Sequence, residues 1–113
     1  MCSNHHITAG AGANIALICD VVVAAQSASF IQAFNKIGLI PDSGGTFSLP
    51  RLIGLQKASA IMMLGDKIMA EEAERLGMIY KWFADDVFEA SSKAIAAKLA
   101  DLPTLGLALT KQA

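Results

Sequence analysis

Thr8-Ala-Gly-Ala-Gly-Ala-Asn-Ile-Ala-Leu-Ile-Cys-Asp20 is the stretch around which the rest of the chain is organised. It opens with small residues only, and an apolar run with helix-forming character follows them. Because glycine and alanine carry no bulk beyond a methyl group, a ligand can come close to the backbone there. The first N–H groups of the helix are free to point at that ligand, and the helix dipole adds partial positive charge. The stretch therefore predicts a place where a developing negative oxygen is stabilised.

A second polar turn follows downstream, Pro41-Asp-Ser-Gly-Gly-Thr46. From the residues alone, Asp42 has two interpretations. It is either the N-cap of the next helix, worth roughly 1 kcal/mol, or a general acid and base, worth about 10²–10⁴ in rate. An apolar pocket would raise its pKa above the usual ~3.9, and Phe34, Leu39 and Ile40 are the neighbours in sequence that can supply one.

Composition bounds the class of protein. A chain of 113 residues makes one domain or part of one. Its hydrophobic fraction of 54% exceeds the usual level of about 45–50%, so we expect self-association or a partner segment. A net charge of −1 without basic runs excludes nucleic-acid and anionic-membrane binding as favoured functions. We expect no transmembrane segment and no signal peptide, because polar residues interrupt the uncharged runs and no Lys or Arg precedes them.

The cysteines and histidines do not form a metal-binding pattern. Cys2 and Cys19 lack metal-ligand spacing, and Cys19 is expected to be a buried reduced thiol, which favours a cytoplasmic setting. His5 and His6 are adjacent, so on a strand their side chains would point to opposite faces. We therefore expect no metal site.

The order of patterns predicts an α/β domain that becomes helix-rich toward its C-terminus. Residues 1–7 have no periodicity and are predicted to be irregular. Strands are predicted at 19–25, 29–33 and 78–83, and helices after a turn at 10–18, then near 44–53, at 55–64, 70–76 and 87–102, and from 104 onward. Asp85 or Asp86, and then Thr104, are the expected caps of the last two helices.

Several motifs in fixed order resemble the crotonase (enoyl-CoA hydratase/isomerase) superfamily. They are the run 9–20, Ala28-Ser-Phe-Ile-Gln32, Gly38-Leu-Ile-Pro-Asp-Ser-Gly-Gly-Thr46, Leu49-Pro-Arg-Leu-Ile-Gly54 and Ala70-Glu-Glu-Ala-Glu-Arg-Leu-Gly77. The likeness covers nearly the whole chain from Thr8 on. Within the superfamily, the first and third motifs look most like phenylacetate-pathway isomerases, which act on ring-epoxide and unsaturated acyl-CoA thioesters.

The resemblance implies a crotonase-like spiral of β-β-α units that assembles as trimers or paired trimers. This chain would be the C-terminal part of the core, a partial domain over 1–113. We expect a ragged start at 1–7, a core with half of the active site at 8–83, and truncated C-terminal helices at 84–113. The segment that family members carry before this point supplies the first oxyanion N–H and most of the adenine-nucleotide pocket. No separate cofactor is implied, because coenzyme A is part of the substrate.

The resemblance also implies roles for individual residues. Two backbone N–H groups hold the thioester oxygen while an enolate forms, and the second of them belongs to Ala11. The hydratases of the family carry glutamates at the positions of Asn14 and Phe34, whereas isomerases often carry their acid where Asp42 stands. The implied substrate-binding residues are Gly10, Gly12, Asn14, Phe34 and Gly44. The methionines at 62, 63, 69 and 78 are expected to lie in the core rather than in an acyl pocket.

Three functions follow from these residues. The favoured one is an acyl-CoA thioester isomerase that shifts a double bond or opens a ring epoxide, with Asp42 moving the proton. The second is an enoyl-CoA hydratase. The third is a non-catalytic crotonase fragment that acts only in self-association. A phosphate-binding domain is a fourth and weak interpretation, because no Gly-Lys-Ser/Thr follows the small residues.

Overall fold

The computed structural model describes residues 1–113 and contains six short strands, six α-helices and a 3₁₀-helix at Ala33–Ile37. The strands are β1 Cys2–Asn4, β2 Ile7–Ala9, β3 Val22–Ala25, β4 Ser29–Ile31, β5 Lys67–Met69 and β6 Lys81–Phe83. The helices are α1 Ala11–Leu17, α2 Gly45–Ile53, α3 Leu55–Leu64, α4 Ala70–Leu76, α5 Asp85–Ala100 and α6 Thr104–Gln112. The predicted α/β class and the helix-rich C-terminal part are confirmed.

The strands form two three-stranded sheets, and successive turns of the chain add one strand to each. One sheet has the order β1-β3-β6 with all strands parallel, and the other has the order β2-β4-β5 with β5 antiparallel to β4. The parallel pairing places Cys2 opposite Val22 and Ile7 opposite Ser29. Helix α1 returns the chain from β2 to β3. This arrangement is the expected spiral of β-β-α units.

Strand β3 is buried on both faces, which explains its continuous apolar sequence. Side chains alternate along a strand, so Val22 and Ala24 face the main core whereas Val23 and Ala25 face Phe88 of α5. Phe88 is 0% exposed. The main core lies between the two sheets and helices α1 to α4, and its members are Ala13, Leu17, Val22, Ala24, Ala28, Phe30, Leu49, Ala58, Ile61, Ala70, Ala73, Met78 and Ile79.

The start of the chain corrects the predicted ragged segment at 1–7. Cys2 N–H donates to the Val21 carbonyl oxygen at 2.8 Å, and β1 then runs parallel to β3. The segment is ordered by backbone pairing with a strand about twenty positions later, which leaves no periodic side-chain pattern. Strand β5, which we did not predict, forms for the same reason by pairing with β4.

All three predicted strands are shorter than expected: β4 ends at Ile31 because the 3₁₀-helix follows it, and β3 and β6 start late because helix ends occupy their first predicted residues. Cys19 N–H donates to the Ala16 carbonyl oxygen at 3.2 Å, so residues 19–21 complete the turn after α1. Met78 N–H donates to the Ala73 carbonyl oxygen at 2.8 Å and closes α4 in the same way. Helices α3 and α4 have the predicted bounds, and α5 begins at Asp85, two residues before the predicted start. The expected side-chain N-caps do not form on α2, α5 or α6.

The methionines divide between the core and the surface. Met78 is 2% exposed and Met62 packs against the core. Met63 and Met69 are 73% and 43% exposed, so the prediction that they lie in the core is wrong. Cys2 and Cys19 are free thiols, and Cys19 is half-buried rather than buried.

The last helix packs differently from the others, since α6 contains no buried residue. Its link to the body of the chain is an ion pair between Lys111 Nζ and Asp20 Oδ2 at 2.8 Å. Asp20 therefore connects the end of the chain to the turn before strand β3. None of the helices is both long enough and apolar enough to cross a lipid bilayer.

Candidate active site

The turn before α1 has the geometry that the small residues predict. Gly10 adopts φ +56° and ψ −129°, which glycine tolerates best, and its N–H donates to the Ile31 carbonyl oxygen at 2.9 Å. The first intrahelical hydrogen bond runs from Asn14 N–H to the Gly10 carbonyl oxygen at 3.2 Å. The N–H groups of Ala11 and Gly12 precede that bond, so the helix offers them no acceptor. Ala11 is half-buried and Gly12 is exposed.

Phe34 lies directly against this turn. The 3₁₀-helix carries it, and the ring is 8% exposed. A Cβ built on Gly10 would lie 3.6 Å from Phe34 Cζ, an ordinary contact distance. Asn35 anchors the 3₁₀-helix, since its Nδ2 donates to the Met63 carbonyl oxygen at 2.6 Å. Phe34 is therefore a packed apolar wall beside the first residues of α1.

Asn14 joins three segments of the chain through one buried side chain. It is 0% exposed and lies in the first turns of α1. Its Nδ2 donates to the Asp42 carbonyl oxygen at 2.9 Å, and its Oδ1 accepts from Gln32 Nε2 at 2.6 Å. Asn14 thus brings Asp42, from the loop before α2, and Gln32, from the end of β4, to the start of α1.

Asp42 is not the N-cap that the turn sequence suggested. The cap position of α2 is Gly44, in the left-handed conformation with φ +76°, and no side chain caps the helix. The Asp42 carbonyl oxygen accepts from Gly45 N–H at 2.9 Å as well as from Asn14. Its carboxylate makes no hydrogen bond or ion pair and is exposed. Asp42 is therefore held by its backbone with its acid group free.

The apolar pocket that we expected around Asp42 is not built by its neighbours in sequence. Leu39 and Ile40 are 58% and 80% exposed, and only Phe34 is buried. Residues 39–42 form a loop between the 3₁₀-helix and α2, in which Pro41 is half-buried and the other three residues are exposed. These exposed apolar residues lie next to the free carboxylate.

Several other ionisable groups form pairs away from this site. Hydrogen bonds to Arg75 and to Lys93 lower the pKa of Glu72 and of Glu89, on helices α4 and α5. Burial raises the pKa of the Cys2 thiol, and the neighbouring Cys19 thiol adds to that effect. A protonated thiol is a poor nucleophile. Strand β2 and helix α2, which pack most extensively on α1, contain no acidic residue.

The residues near the chain start do not assemble a metal centre. The structure contains no group of three or more His, Cys, Asp and Glu side chains placed to hold a metal ion. The His5 ring packs edge-on against the Phe88 ring with centroids 4.2 Å apart. It thereby covers part of Phe88, which packs with Val23 and Ala25 of β3.

Two residues at the site were not predicted from the sequence. Gln32 is 1% exposed, and Gly45 leaves room for Asn14, since a Cβ there would lie 2.6 Å from Asn14 Cγ and would displace that side chain. The sequence carries a weak signal for each. Gln32 is the polar residue that ends an apolar strand motif, and Gly45 is the second glycine of a pair, although one glycine suffices for a helix cap.

Comparison with known proteins decides the family. The family model described as "Enoyl-CoA hydratase/isomerase" matches residues 6–113. The chain belongs to the enoyl-CoA hydratase/isomerase family. The resemblance seen in the motifs is thereby confirmed, and the turn at Gly10 with the loop at Asp42 lies inside the matched range.

Individual members of the enoyl-CoA hydratase/isomerase family show how the chain relates to whole proteins. The 1,2-epoxyphenylacetyl-CoA isomerase of Escherichia coli strain K12 is 45% identical over 113 residues, which are 100% of this chain and 43% of that protein. A "Probable enoyl-CoA hydratase" of Rhodobacter capsulatus is 51% identical over 105 residues, which are 93% of this chain and 41% of that protein. The chain thus spans about two fifths of the length of these relatives.

A solved structure from the same family confirms the fold. The crystal structure of an enoyl-CoA hydratase from Mycobacterium avium subsp. paratuberculosis superimposes with a TM-score of 0.93 at 36% identity. The match covers 95% of this chain and 44% of that one. The two small sheets and the helices around them therefore form part of the crotonase fold.

Proposed function

We propose that the chain provides the proton-transfer half of an acyl-CoA thioester isomerase. One observation carries the proposal: Asn14 of α1 donates to the Asp42 carbonyl oxygen at 2.9 Å and so ties the backbone of the residue with the free carboxylate to that helix. The reaction would shift a double bond or open a ring epoxide through an enolate. Coenzyme A would be part of the substrate, with no separate cofactor.

The start of α1 supports enolate stabilisation. In this proposal the Ala11 N–H donates to the thioester oxygen, with the turn at Gly10 and the small residue Gly12 giving the thioester access to the backbone. One such donor is worth on the order of 10²–10³ in rate. Phe34 and Gly44 would border the acyl group on either side of the Asp42 loop.

Asp42 would move the proton. Its carboxylate takes a proton from a carbon conjugated with the thioester, and the electron pair passes to the carbonyl oxygen as the enolate forms. The resulting carboxylic acid then returns the proton to another carbon or to the opening epoxide oxygen. The product has the same atoms as the substrate, and Asp42 ends in its starting state.

A hydratase is the second candidate, favoured by the name of the Rhodobacter capsulatus relative. Against it, neither position at which the family's hydratases carry glutamate holds a carboxylate here. Asn14 uses both ends of its amide within the protein, and Phe34 is apolar and buried. Activation of water would have to fall to Asp42 alone.

A non-catalytic role in self-association is the third candidate. It is favoured by exposed apolar residues, among them Ile37, Leu39, Ile40 and Phe47 at 58–80% exposure. The same residues also suit a homo-oligomeric enzyme, a trimer or hexamer in this proposal. Two free cysteines accord with a cytoplasmic setting.

Isotope labelling separates the three candidates. The chain is incubated with an unsaturated acyl-CoA in D₂O and, separately, in H₂¹⁸O, with the D42N variant as the control. An isomerase yields a shifted double bond, deuterium on carbon and no ¹⁸O. A product carrying ¹⁸O at a new hydroxyl identifies a hydratase instead. Unchanged substrate, in a protein that melts cooperatively, leaves the non-catalytic role.

A further inference from the structure

We propose that Gln32 is a positioning residue for Asp42 and that it acts through the side chain of Asn14. The inference rests on the proposed function, in which the carboxylate of Asp42 is the acid group that moves the proton. Gln32 does not touch that carboxylate. It lies at the end of β4 and reaches the Asp42 loop only through the amide of Asn14.

The direction of each hydrogen bond follows from the one group that cannot donate. The Asp42 carbonyl oxygen is an acceptor only, so Asn14 must turn its Nδ2 toward it. That choice directs Asn14 Oδ1 toward Gln32, and an oxygen there requires a donor. Gln32 Nε2 supplies it at 2.6 Å. The two amides therefore form a directional chain from β4 to the Asp42 backbone.

The burial of Gln32 indicates that folding stability alone does not explain a glutamine at this position. Its side chain is 1% exposed, and its Oε1 is buried without a hydrogen-bond partner. A buried polar atom without a partner destabilises the folded state, so an apolar side chain of similar length would suit this core position better. The feature that an apolar side chain lacks is the Nε2 donor to Asn14.

The loop that carries Asp42 depends on this support. Ser43 and Gly44 both adopt left-handed backbone conformations, with φ +50° and +76°, directly after Asp42. Hydrogen bonds from Asn14 Nδ2 and Gly45 N–H hold the Asp42 carbonyl from two sides. A misplacement of a catalytic group by about 1 Å can cost about 10²-fold in rate, so the orientation of Asn14 bears on proton transfer.

The test uses Gln32→Met, which keeps the length of the side chain and removes both its donor and its unpaired oxygen. We expect kcat for isomerisation to fall about 10- to 100-fold, with KM for the acyl-CoA changed by less than about threefold. Hydrogen exchange at the Gly45 amide should accelerate about tenfold, whereas the melting temperature of the protein should stay close to that of the wild type. In an Asn14→Ala background, Gln32→Met should cause no further loss of kcat, because the hydrogen bonds that link Gln32 to Asp42 through Asn14 are already absent.

Ser29→Ala is the matched control. Ser29 lies on the same strand, is 1% exposed, and its hydroxyl is buried without a partner. Ser29→Ala should leave kcat and the hydrogen-exchange rate of the Gly45 amide unchanged. If Gln32→Met leaves the exchange of the Gly45 amide at the wild-type rate, the proposal is wrong, whatever the activity. If the wild-type chain does not isomerise acyl-CoA but Gln32→Met still accelerates that exchange, the proposed function fails and the positioning role stands.

Discussion

The side chain of Asn14 occupies the space in which a side chain at Gly45 would begin. A Cβ on Gly45 would lie 2.6 Å from Asn14 Cγ and 2.7 Å from its Oδ1. Asn14 cannot move aside freely, because its amide is fully buried and bonded to both Gln32 and the Asp42 carbonyl. Helices α1 and α2 therefore meet through an amide and a bare Cα, and that contact sets where the Asp42 loop lies.

Gly45→Ala should destabilise the chain by about 1–3 kcal/mol, because the new methyl group overpacks the site and displaces Asn14. Urea unfolding followed by circular dichroism measures the change. Gly106→Ala is the control, since a Cβ there meets nothing within 4 Å and the residue lies in helix α6. It should stabilise the helix by about 0.5–1 kcal/mol. Equal stability of wild type and Gly45→Ala would show that Asn14 is not held as described.

The two glycines that flank Ala11 should respond in opposite directions to alanine. Gly10→Ala places a Cβ on a backbone with φ +56° and ψ −129° and should cost about 1–3 kcal/mol. Gly12→Ala lies within α1, where a Cβ would contact only Thr8 Cγ2 at 3.8 Å, and should stabilise by up to about 1 kcal/mol. Thermal unfolding of both variants measures this difference. A Gly10→Ala protein as stable as the wild type would mean that the turn does not need glycine.

Asp42→Asn should abolish isomerisation, with a loss of about 10²–10⁴ in rate, because asparagine cannot exchange a proton with the substrate. Binding of the thioester should persist, since the Asp42 contacts to the protein come from its backbone. Isothermal titration with an unreactive thioester analogue measures binding beside the rate. Asp101→Asn changes another exposed carboxylate, just after α5, and should leave both unchanged. Undiminished isomerisation by Asp42→Asn would remove Asp42 from the mechanism.

The ion pair between Asp20 and Lys111 should make the attachment of α6 depend on pH. The hydrogen bond from Lys111 lowers the pKa of Asp20, and the same bond raises the pKa of Lys111. A lowered carboxyl pKa contributes stability above the usual value of ~3.9 that is lost as the pH falls through the lowered folded-state pKa. The raised lysine pKa contributes stability that is lost when the pH rises through it.

An NMR titration of the Asp20 carboxyl carbon tests this coupling. In Lys111→Met the pKa of Asp20 should move back up toward the usual value, and salt should weaken the shift in the wild type because both groups are exposed. Lys98→Met removes a cation from the last turn of α5 and serves as the control. An Asp20 pKa that is the same in Lys111→Met and in the wild type would show that the pair does not form in solution.

Local sequence predicted the helices well and the strands poorly. The bounds of α3 and α4 could be read directly, because glycines in the left-handed conformation at 65 and 77 end them and the residues between are good helix formers. Strands β1 and β5 have only three residues each and exist through pairing with β3 and β4. Their stabilising partners are distant in the chain, so no local pattern marks them.

The sequence by itself determined the family, the turn at Gly10, the small residues at the start of α1 and the presence of an acid at Asp42. These features are local or lie in motifs of fixed order, so they can be recognised without coordinates. Only the tertiary structure decided that Asn14 holds the Asp42 carbonyl, that Gln32 donates to Asn14, and that Gly45 leaves room for the Asn14 side chain. Hydrogen bonds and close contacts between segments depend on how strand β4 and helices α1 and α2 pack together, and that packing is a property of the whole fold.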